Sequence, residues 1–304
     1  MAMHPEYKAL FKGSFFETDV PMDRFTNFRV GGPADLLFQP ETVEDLVAAI
    51  KTAQEIDLPV TVIGGGSNIL ISDRGIRGLV LVLTKMKNRP ELAKTVSETT
   101  ITALAGESLS SLCRISLENG LSGLEWAAGI PGTLGGAIAM NAGSFGSDIA
   151  SVIQSLDLLG MDDLECRTVS IEDLNFSYRH FDKGNNIILK AVLSLLQADT
   201  HTLRRRYEAN LKAKKASQPV SKASGGCFFK NPSPTHPAGR LIEQAGLKGY
   251  RFQGAMVSDH HANFIINHDH ASCSDILALK RLVQDRVYET FGIRLEEEVK
   301  TIGQ

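Results

Sequence analysis

The stretch P-V-T-V-I-G-G-G-S-N-I-L-I-S-D, Pro59–Asp73, decides how the rest of the chain is read. Val60–Ile63 is a short β-branched run, suited to a strand buried on both faces. Gly64, Gly65 and Gly66 end it, and Ser67 and Asn68 follow. Successive glycines can take positive φ and carry no Cβ to block a ligand. Such a turn either aims consecutive N–H groups at one anion, a pyrophosphate being a natural occupant, or is simply the way out of a strand. The pattern is neither G-x-G-x-x-G nor G-x-x-x-x-G-K-[ST], so the usual dinucleotide and P-loop fingerprints are absent here.

Working outward, Asp35–Gln39 reads as a strand stopped by Pro40, and Thr42-Val43-Glu44-Asp45 resembles a capping box. Val43, Leu46, Val47, Ile50 and Ala53 then share a helical face, and Leu58-Pro59 closes it. The glycine turn therefore ends a β-α-β unit. Leu79–Leu83 and Thr99–Ala105 read as further strands. Ser108 caps a helix carrying Leu109, Leu112, Ile115 and Leu117, with Gly120 at its C′ position. Trp126–Gly146 is too glycine-rich for a helix throughout and too apolar for a solvated linker. Close approach to a large flat ligand or tight helix–strand packing explains both features equally. Val152–Leu159 and Asn186–Gln197 read as long strands. Thr200–Lys215 is a basic helix with a solvated face, and 217–237 is loop-rich. Ala238–Ala245 and Ser272–Phe291 are helices, the second stopped by Gly292, and Ile293–Ile302 is a final strand.

Composition excludes several classes. The 304 residues suggest two or three domains with ample core. A net charge of −3 gives no global basic field for nucleic acid or anionic membrane. No apolar run reaches the roughly 18 residues of a transmembrane helix, and M-A-M-H-P-E-Y-K has no signal-peptide core. Cys113, Cys166, Cys227 and Cys273 are scattered, which fits a reducing cytoplasm rather than a disulfide framework or zinc site. His268-Asp269-His270 lacks a third ligand at a convincing spacing, so no metal is expected.

Several motifs then line up in order. They are T-N-F-R-V-G-G-P-A (Thr26–Ala34), V-I-G-G-G-S-N-I-L (Val62–Leu70), G-L-S-G-L-E-W-A-A-G-I-P-G-T-L-G-G-A (Gly120–Ala137), N-A-G (Asn141–Gly143) and S-Y-R (Ser177–Arg179). F-F-K-N-P (Phe228–Pro232), A-G-x-L-I-E-x-A-G-L-K-G (Ala238–Gly249) and L-E-x-E-V (Leu295–Val299) follow. Each alone is weak; the ordered set, over nearly the whole chain, resembles the UDP-N-acetylenolpyruvoylglucosamine reductase family. These flavoproteins make UDP-N-acetylmuramic acid for bacterial peptidoglycan.

The resemblance implies an α+β fold of the vanillyl-alcohol-oxidase type. Two α+β subdomains, 1–84 and 85–198, would hold non-covalent FAD. A smaller α+β substrate-binding domain, 199–292, would follow, and a C-terminal strand, 293–304, would return to the FAD part. Only six residues, His180–Asn185, separate Arg179 from the next strand, as in the shorter form of the family, which lacks an inserted tyrosine-bearing loop. The implied partners are a UDP-sugar and NADPH as co-substrate, with no nucleic acid or membrane, in a cytoplasmic monomer.

The implied reaction is reduction of an enolpyruvyl ether. NADPH reduces FAD, hydride then reaches C3 of the enolpyruvyl group, and C2 is protonated. Arg179 matches the family's active-site arginine, and a guanidinium forks onto a carboxylate. Glu298 matches the catalytic glutamate, although Glu296-Glu297-Glu298 leaves its register open; strand alternation would put Glu296 and Glu298 on one face. Cys227 stands where most members carry the proton-donating serine. A thiol of unperturbed pKa, about 8.5, is mostly protonated at pH 7 and can donate. FAD would lie on Gly64, Gly65, Gly66, Ser67 and Asn68 through its pyrophosphate, and near Gly129, Pro131, Gly132, Gly135 and Gly136. Lys215 and Asn231 match substrate-contacting positions, Lys215 less closely because the local pattern is A-S-Q-P. Two other readings stay open at this stage. One is a different flavin oxidase or dehydrogenase on the same fold. The other is a catalytically inactive nucleotide-binding homologue, which only the serine-to-cysteine change supports.

Overall fold

The computed structural model describes residues 16–94 and 99–303. The chain forms two compact units. The first comprises Leu37–Gly65 and Leu79–Ala213, with Phe16; the second comprises Glu17–Leu36, Gly66–Gly78 and the chain from Lys214 on. The chain passes between units within the strands Pro33–Phe38 and Ile76–Val82, just after Gly65, and within the helix Thr200–Ser217 after Ala213.

In the first unit, Thr42 accepts from Asp45 N and the Asp45 carboxylate accepts from Thr42 N, so the expected capping box starts the helix Val43–Glu55. Leu46, Ala49, Ile50 and Ala53 are its buried face. The strand Val60–Ile63 pairs in parallel with Ile76–Val82, Val60 opposite Leu79 and Ile63 opposite Val82. The expected strand buried on both faces is not what forms. Only Ile63 is buried, while Val60, Thr61 and Val62 are half-exposed, because Val60 and Val62 wall a cavity.

The larger sheet of this unit is antiparallel, in the order Cys166–Ser170, Ile153–Gly160, Asn186–Gln197, Thr99–Leu104, Glu91–Lys94. Thr99–Leu104 alternates buried and half-buried residues, the period-2 pattern of a sheet with one covered face. Ile101, Ala103, Leu156, Leu158, Ala191, Leu193 and Leu195 supply the core, with Trp126 and the helices Leu109–Glu118 and Leu134–Ala139 against them. Ser108 caps the first of these through Ser111 N, and Gly120 beyond its end has φ 66°. Its buried face is Leu109, Leu112, Cys113 and Ser116; Ile115 and Leu117, expected inward, are only half-buried.

The second unit has a four-stranded antiparallel sheet, Ala223–Ser224, Ile265–Asn267, Ala255–Val257, Arg251–Phe252. The helix Cys273–Phe291 lays Ile276, Leu279, Val283 and Val287 on a core that also holds Phe28, Phe228 and Phe229. Ser272 and Asp275 form a capping box at its start, and Gly292 ends it in the left-handed region at φ 68°. The Asp73 carboxylate adds three bonds there, from Cys273 N (2.7 Å), Ser274 N (2.9 Å) and Ser274 Oγ (2.6 Å). Burial, with the Asp73 charge, pushes the Cys273 thiol up to about 11.

The C-terminal strand is shorter than expected. Only Lys300–Ile302 is a strand, parallel to Ile69–Ile71. Residues 293–299 are irregular, with one bridge between Glu297 and Phe229. Leu295 and Val299 are the buried residues, four apart, whereas a strand with one covered face buries every second one. The expected pairing of Glu296 and Glu298 on one face therefore fails: Glu296 is exposed, while Glu297 and Glu298 are both half-buried. Among the described residues, no helix is long and apolar enough to cross a membrane.

Candidate active site

In the first unit the glycine turn meets the second glycine run. Gly64 and Gly65 are not in the left-handed region; their lack of side chains serves close approach. A Cβ on Gly64 would lie 2.6 Å from Thr133 Oγ1, and one on Gly65 would lie 3.0 Å from Gly132 Cα. Thr133 caps the helix Leu134–Ala139 by accepting from Gly136 N at 3.3 Å. A cavity of about 240 Å³ opens beside this junction, lined by Val60, Val62, Gly64, Thr133, Gly135, Gly136 and residues 185–188. Aliphatic side chains and backbone without Cβ suit a flat ring, while the first amides of the helix are already taken by Glu107 O, Ala105 O and Thr133 Oγ1. Gly129 and Pro131 are exposed and lie outside this cavity. Lys183 also lines it, its Nζ donating to Asn186 O at 2.6 Å, and burial lowers its pKa.

Arg179 stands in the turn between Phe176–Ser177 and His180–Phe181. Its φ is 57°, a conformation that non-glycine residues seldom take and that collects at functional sites. Nη2 donates to Gly143 O at 2.8 Å, and the guanidinium lies 5.0 Å from the Tyr178 ring centroid.

In the second unit a cavity of about 510 Å³ is lined by Cys227, Asn231, Arg240, Glu243, His260, His261 and Asn263, among others. Gly226, at φ 86°, turns the chain so that Cys227 comes to this wall, where it packs against Met256, Phe264 and Ile266. Asn263, 2% exposed, clamps the segment after it. Its Nδ2 donates to Phe229 O (2.8 Å), its Oδ1 accepts from Phe229 N (3.0 Å), and its carbonyl accepts from Phe228 N (2.7 Å). Asn231 Oδ1 accepts from Ala238 N at 3.0 Å and so fixes the start of the helix Ala238–Gln244. His261 Nδ1 accepts from Asn263 N at 3.2 Å. Burial, with the nearby charge of Lys248, lowers its pKa.

Glu298 reaches the same neighbourhood through the backbone: its N–H donates to Phe228 O at 2.8 Å, one residue after Cys227. Its carbonyl accepts from Asn68 Nδ2 at 3.1 Å, and Asn68 O accepts from Lys300 N at 3.0 Å. Asn68, expected at a pyrophosphate, anchors the glutamate segment, and Ser67 precedes it in this unit. Gly66 has φ 63°, and a Cβ there would sit 1.8 Å from Phe25 O. Lys280 holds Glu297 at 2.7 Å. Lys215 is exposed, whereas its neighbour Lys214 is buried. Among the described residues, no group of three or more His, Cys, Asp or Glu is placed to hold a metal ion.

Two family models match: "UDP-N-acetylenolpyruvoylglucosamine reductase, C-terminal domain" over residues 218–302 and "FAD binding domain" over residues 34–164. A UDP-N-acetylenolpyruvoylglucosamine reductase of Desulfosudis oleivorans is 41% identical over 295 residues, 94% of each chain. One from Synechococcus sp. strain WH7803 is 43% identical over 289 residues, covering 93% of this chain and 92% of the relative. The chain belongs to the UDP-N-acetylenolpyruvoylglucosamine reductase family. A solved family structure, from Thermus caldophilus, superposes with a TM-score of 0.79 at 33% identity, covering 94% of this chain and 99% of that one. The fold is accordingly the α+β FAD-binding fold of the vanillyl-alcohol-oxidase type.

Within this family frame, sequence reading missed several residues of both cavities. Thr133, Arg240, His260, His261 and Asn263 each line or brace one. One of them had a signal: Asn263 interrupts the apolar run Ala262–Ile266, and a buried amide in such a run must have partners on the main chain.

Proposed function

We propose that this chain reduces the enolpyruvyl group of UDP-N-acetylglucosamine enolpyruvate to give UDP-N-acetylmuramate, with FAD as cofactor and NADPH as co-substrate. Membership of the family and the FAD-binding domain carry the reaction and the cofactor. The observation that carries the site is the cavity of about 510 Å³ bearing Cys227 and Asn231, with Arg240 and His260 offering cationic or donor groups on its wall.

FAD, when bound, supplies two-electron redox chemistry between NADPH and substrate. Gly64, Gly65, Thr133, Gly135 and Gly136 would hold it, together with Gly66, Ser67, Asn68, Gly129, Pro131 and Gly132. The cavity beside Thr133, where backbone takes the place of side chains, supports that reading.

As the enolpyruvyl double bond is reduced, its electron pair moves toward C2 and the carboxylate. Arg179 meets that charge with a planar, permanently charged fork. Cys227 gives its thiol proton to C2, which completes the C–H bond and leaves a thiolate that recovers a proton from solvent. Glu298 works beside it; the hydrogen bond from its N–H to Phe228 O supports that placement. Lys215 and Asn231 contact the UDP-sugar, and Asn231 on the cavity wall supports its part. The domain plan 1–84, 85–198, 199–292 and 293–304, a monomeric state and a cytoplasmic setting belong to the same proposal.

The test is turnover with product identification. Purified protein, NADPH and UDP-N-acetylglucosamine enolpyruvate should give a product heavier by two hydrogens, with one released FAD per chain. A colourless protein that binds no added FAD, or NADPH oxidation without a reduced sugar product, overturns the reading.

A further inference from the structure

Two hairpins of the first unit meet at Arg179. One pairs Gly143–Ser144 with Ser147–Asp148, and the other pairs Phe176–Ser177 with His180–Phe181. Three non-glycine residues here have positive φ: Asn141 at 44°, Phe145 at 51° and Arg179 at 57°. Arg179 takes the second central position of its turn, where positive φ favours glycine or asparagine. A long charged side chain holds that conformation only if its surroundings impose it.

Asn141 supplies the constraint. It is 3% exposed. Its Nδ2 donates to Ser177 O at 3.0 Å and to Asp148 Oδ2 at 3.2 Å, while Oδ1 accepts from Ala150 N at 3.3 Å. One side chain thus ties the first hairpin to the second, two residues before Arg179. Two residues further along the same N-A-G run, Gly143 O accepts from Arg179 Nη2 at 2.8 Å. A Cβ on Gly143 would come 2.6 Å from Ser147 O, 2.8 Å from Asp148 Cβ and 3.0 Å from Arg179 Nη1, so a side chain there would press on both the hairpin and the guanidinium.

We propose that Asn141 and Gly143 are positioning residues for Arg179: Asn141 fixes the turn that carries it, and Gly143 fixes the angle of its guanidinium. The inference rests on the reading that Arg179 binds the substrate carboxylate. Asparagine is suited to the place because it tolerates positive φ while offering two donors and an acceptor.

The test uses the FAD-loaded enzyme and measures its two half-reactions separately by rapid mixing: flavin reduction by NADPH, and flavin reoxidation by the enolpyruvyl substrate. The variants are Asn141→Gly, which keeps the backbone freedom and removes the three side-chain bonds, Arg179→Ala, and the double variant. Asn141→Gly should slow the substrate half-reaction by about 10- to 100-fold at saturating substrate, the scale of a misplaced binding group. Flavin reduction by NADPH should stay within about two-fold. In the Arg179→Ala background, Asn141→Gly should cost less than about two-fold more, because a residue acting only through another adds nothing once that other is gone. Gly143→Ala should show the same pattern, and it carries the test if Asn141→Gly does not fold. Equal slowing of both half-reactions, full multiplication of the two single effects, or a wild-type substrate half-reaction in Asn141→Gly overturns the inference. A wild-type substrate half-reaction in Arg179→Ala is a separate outcome: it overturns the reading of Arg179 itself and takes this inference with it.

Discussion

Gly65→Ala perturbs the proposed cofactor cradle at a contact between two stretches of backbone. The added Cβ would sit 3.0 Å from Gly132 Cα, 3.3 Å from Thr133 N and 3.4 Å from Gly132 C. All three are backbone atoms, so no side chain can swing away. Non-bonded carbons are at their best near 3.5–4.0 Å, which requires the two glycine turns to separate by roughly 0.5 Å or more. Overpacking of this kind costs about 1–3 kcal/mol. The apoprotein can relax by opening the junction, whereas cofactor binding must close it again, so the cost falls on the FAD dissociation constant. At about 1.4 kcal/mol per decade the constant should rise roughly 5- to 150-fold. Titration of apoprotein with FAD, followed by quenching of flavin fluorescence, measures it. The melting temperature of the apoprotein should change little. A Gly65→Ala chain that binds FAD with the wild-type constant, or that loses the whole cost in apoprotein melting, refutes the argument that this contact shapes the cradle.

Arg179→Lys keeps the charge and loses the fork, so reoxidation by substrate should fall steeply while flavin reduction by NADPH stays near wild type; equal losses would show that Arg179 serves the fold or the flavin. Cys227→Ala should slow the substrate half-reaction by about 100- to 10,000-fold, the usual span for a general acid, and Cys227→Ser should restore much of it. The serine variant should also lack an alkaline limb present in the wild type, since thiols lose their proton near pH 8.5 and hydroxyls do not. Alkylation with substrate protection, read in a Cys166→Ser background because Cys166 is exposed, checks the same thiol. His261 has its pKa lowered by burial, so the unfolded chain binds the extra proton first as pH falls. Stability should therefore decline once pH drops below the unfolded value of about 6.5, until it passes the folded value; melting curves of wild type and His261→Gln that run parallel through that window would contradict this.

Much of the architecture was legible because its signals are local. Thr42 with Asp45, Ser108, Ser272 and Gly292 mark helix ends through hydrogen bonds made within a few residues. Asn186–Gln197 has the observed bounds because a largely apolar run of that length, interrupted only by Lys190 and Ser194, reads as one long strand. Pieces of two or three residues, such as Ala255–Val257 and Ile69–Ile71, are too short to show a period. The C-terminal segment misled for a related reason: Leu295 and Val299 enter one core four residues apart, from irregular backbone rather than from a sheet face. At the site, the glycine turn was visible but its reason was not. The sequence allowed positive φ or close approach at each glycine; only Gly66 has positive φ, and Gly64 and Gly65 meet atoms of residues 132 and 133, far along the chain. The same distance hid Asn141, whose partners at residues 148, 150 and 177 come together only in the folded unit.

The most direct measurement of the central claim is a single turnover without NADPH. The FAD of the purified protein is reduced stoichiometrically under anaerobic conditions, then mixed rapidly with UDP-N-acetylglucosamine enolpyruvate. The account predicts that the oxidised flavin absorbance returns in one phase, with one UDP-N-acetylmuramate formed per flavin. Reduced flavin that stays reduced in the presence of saturating substrate, yet reoxidises normally on admitting oxygen, would contradict it.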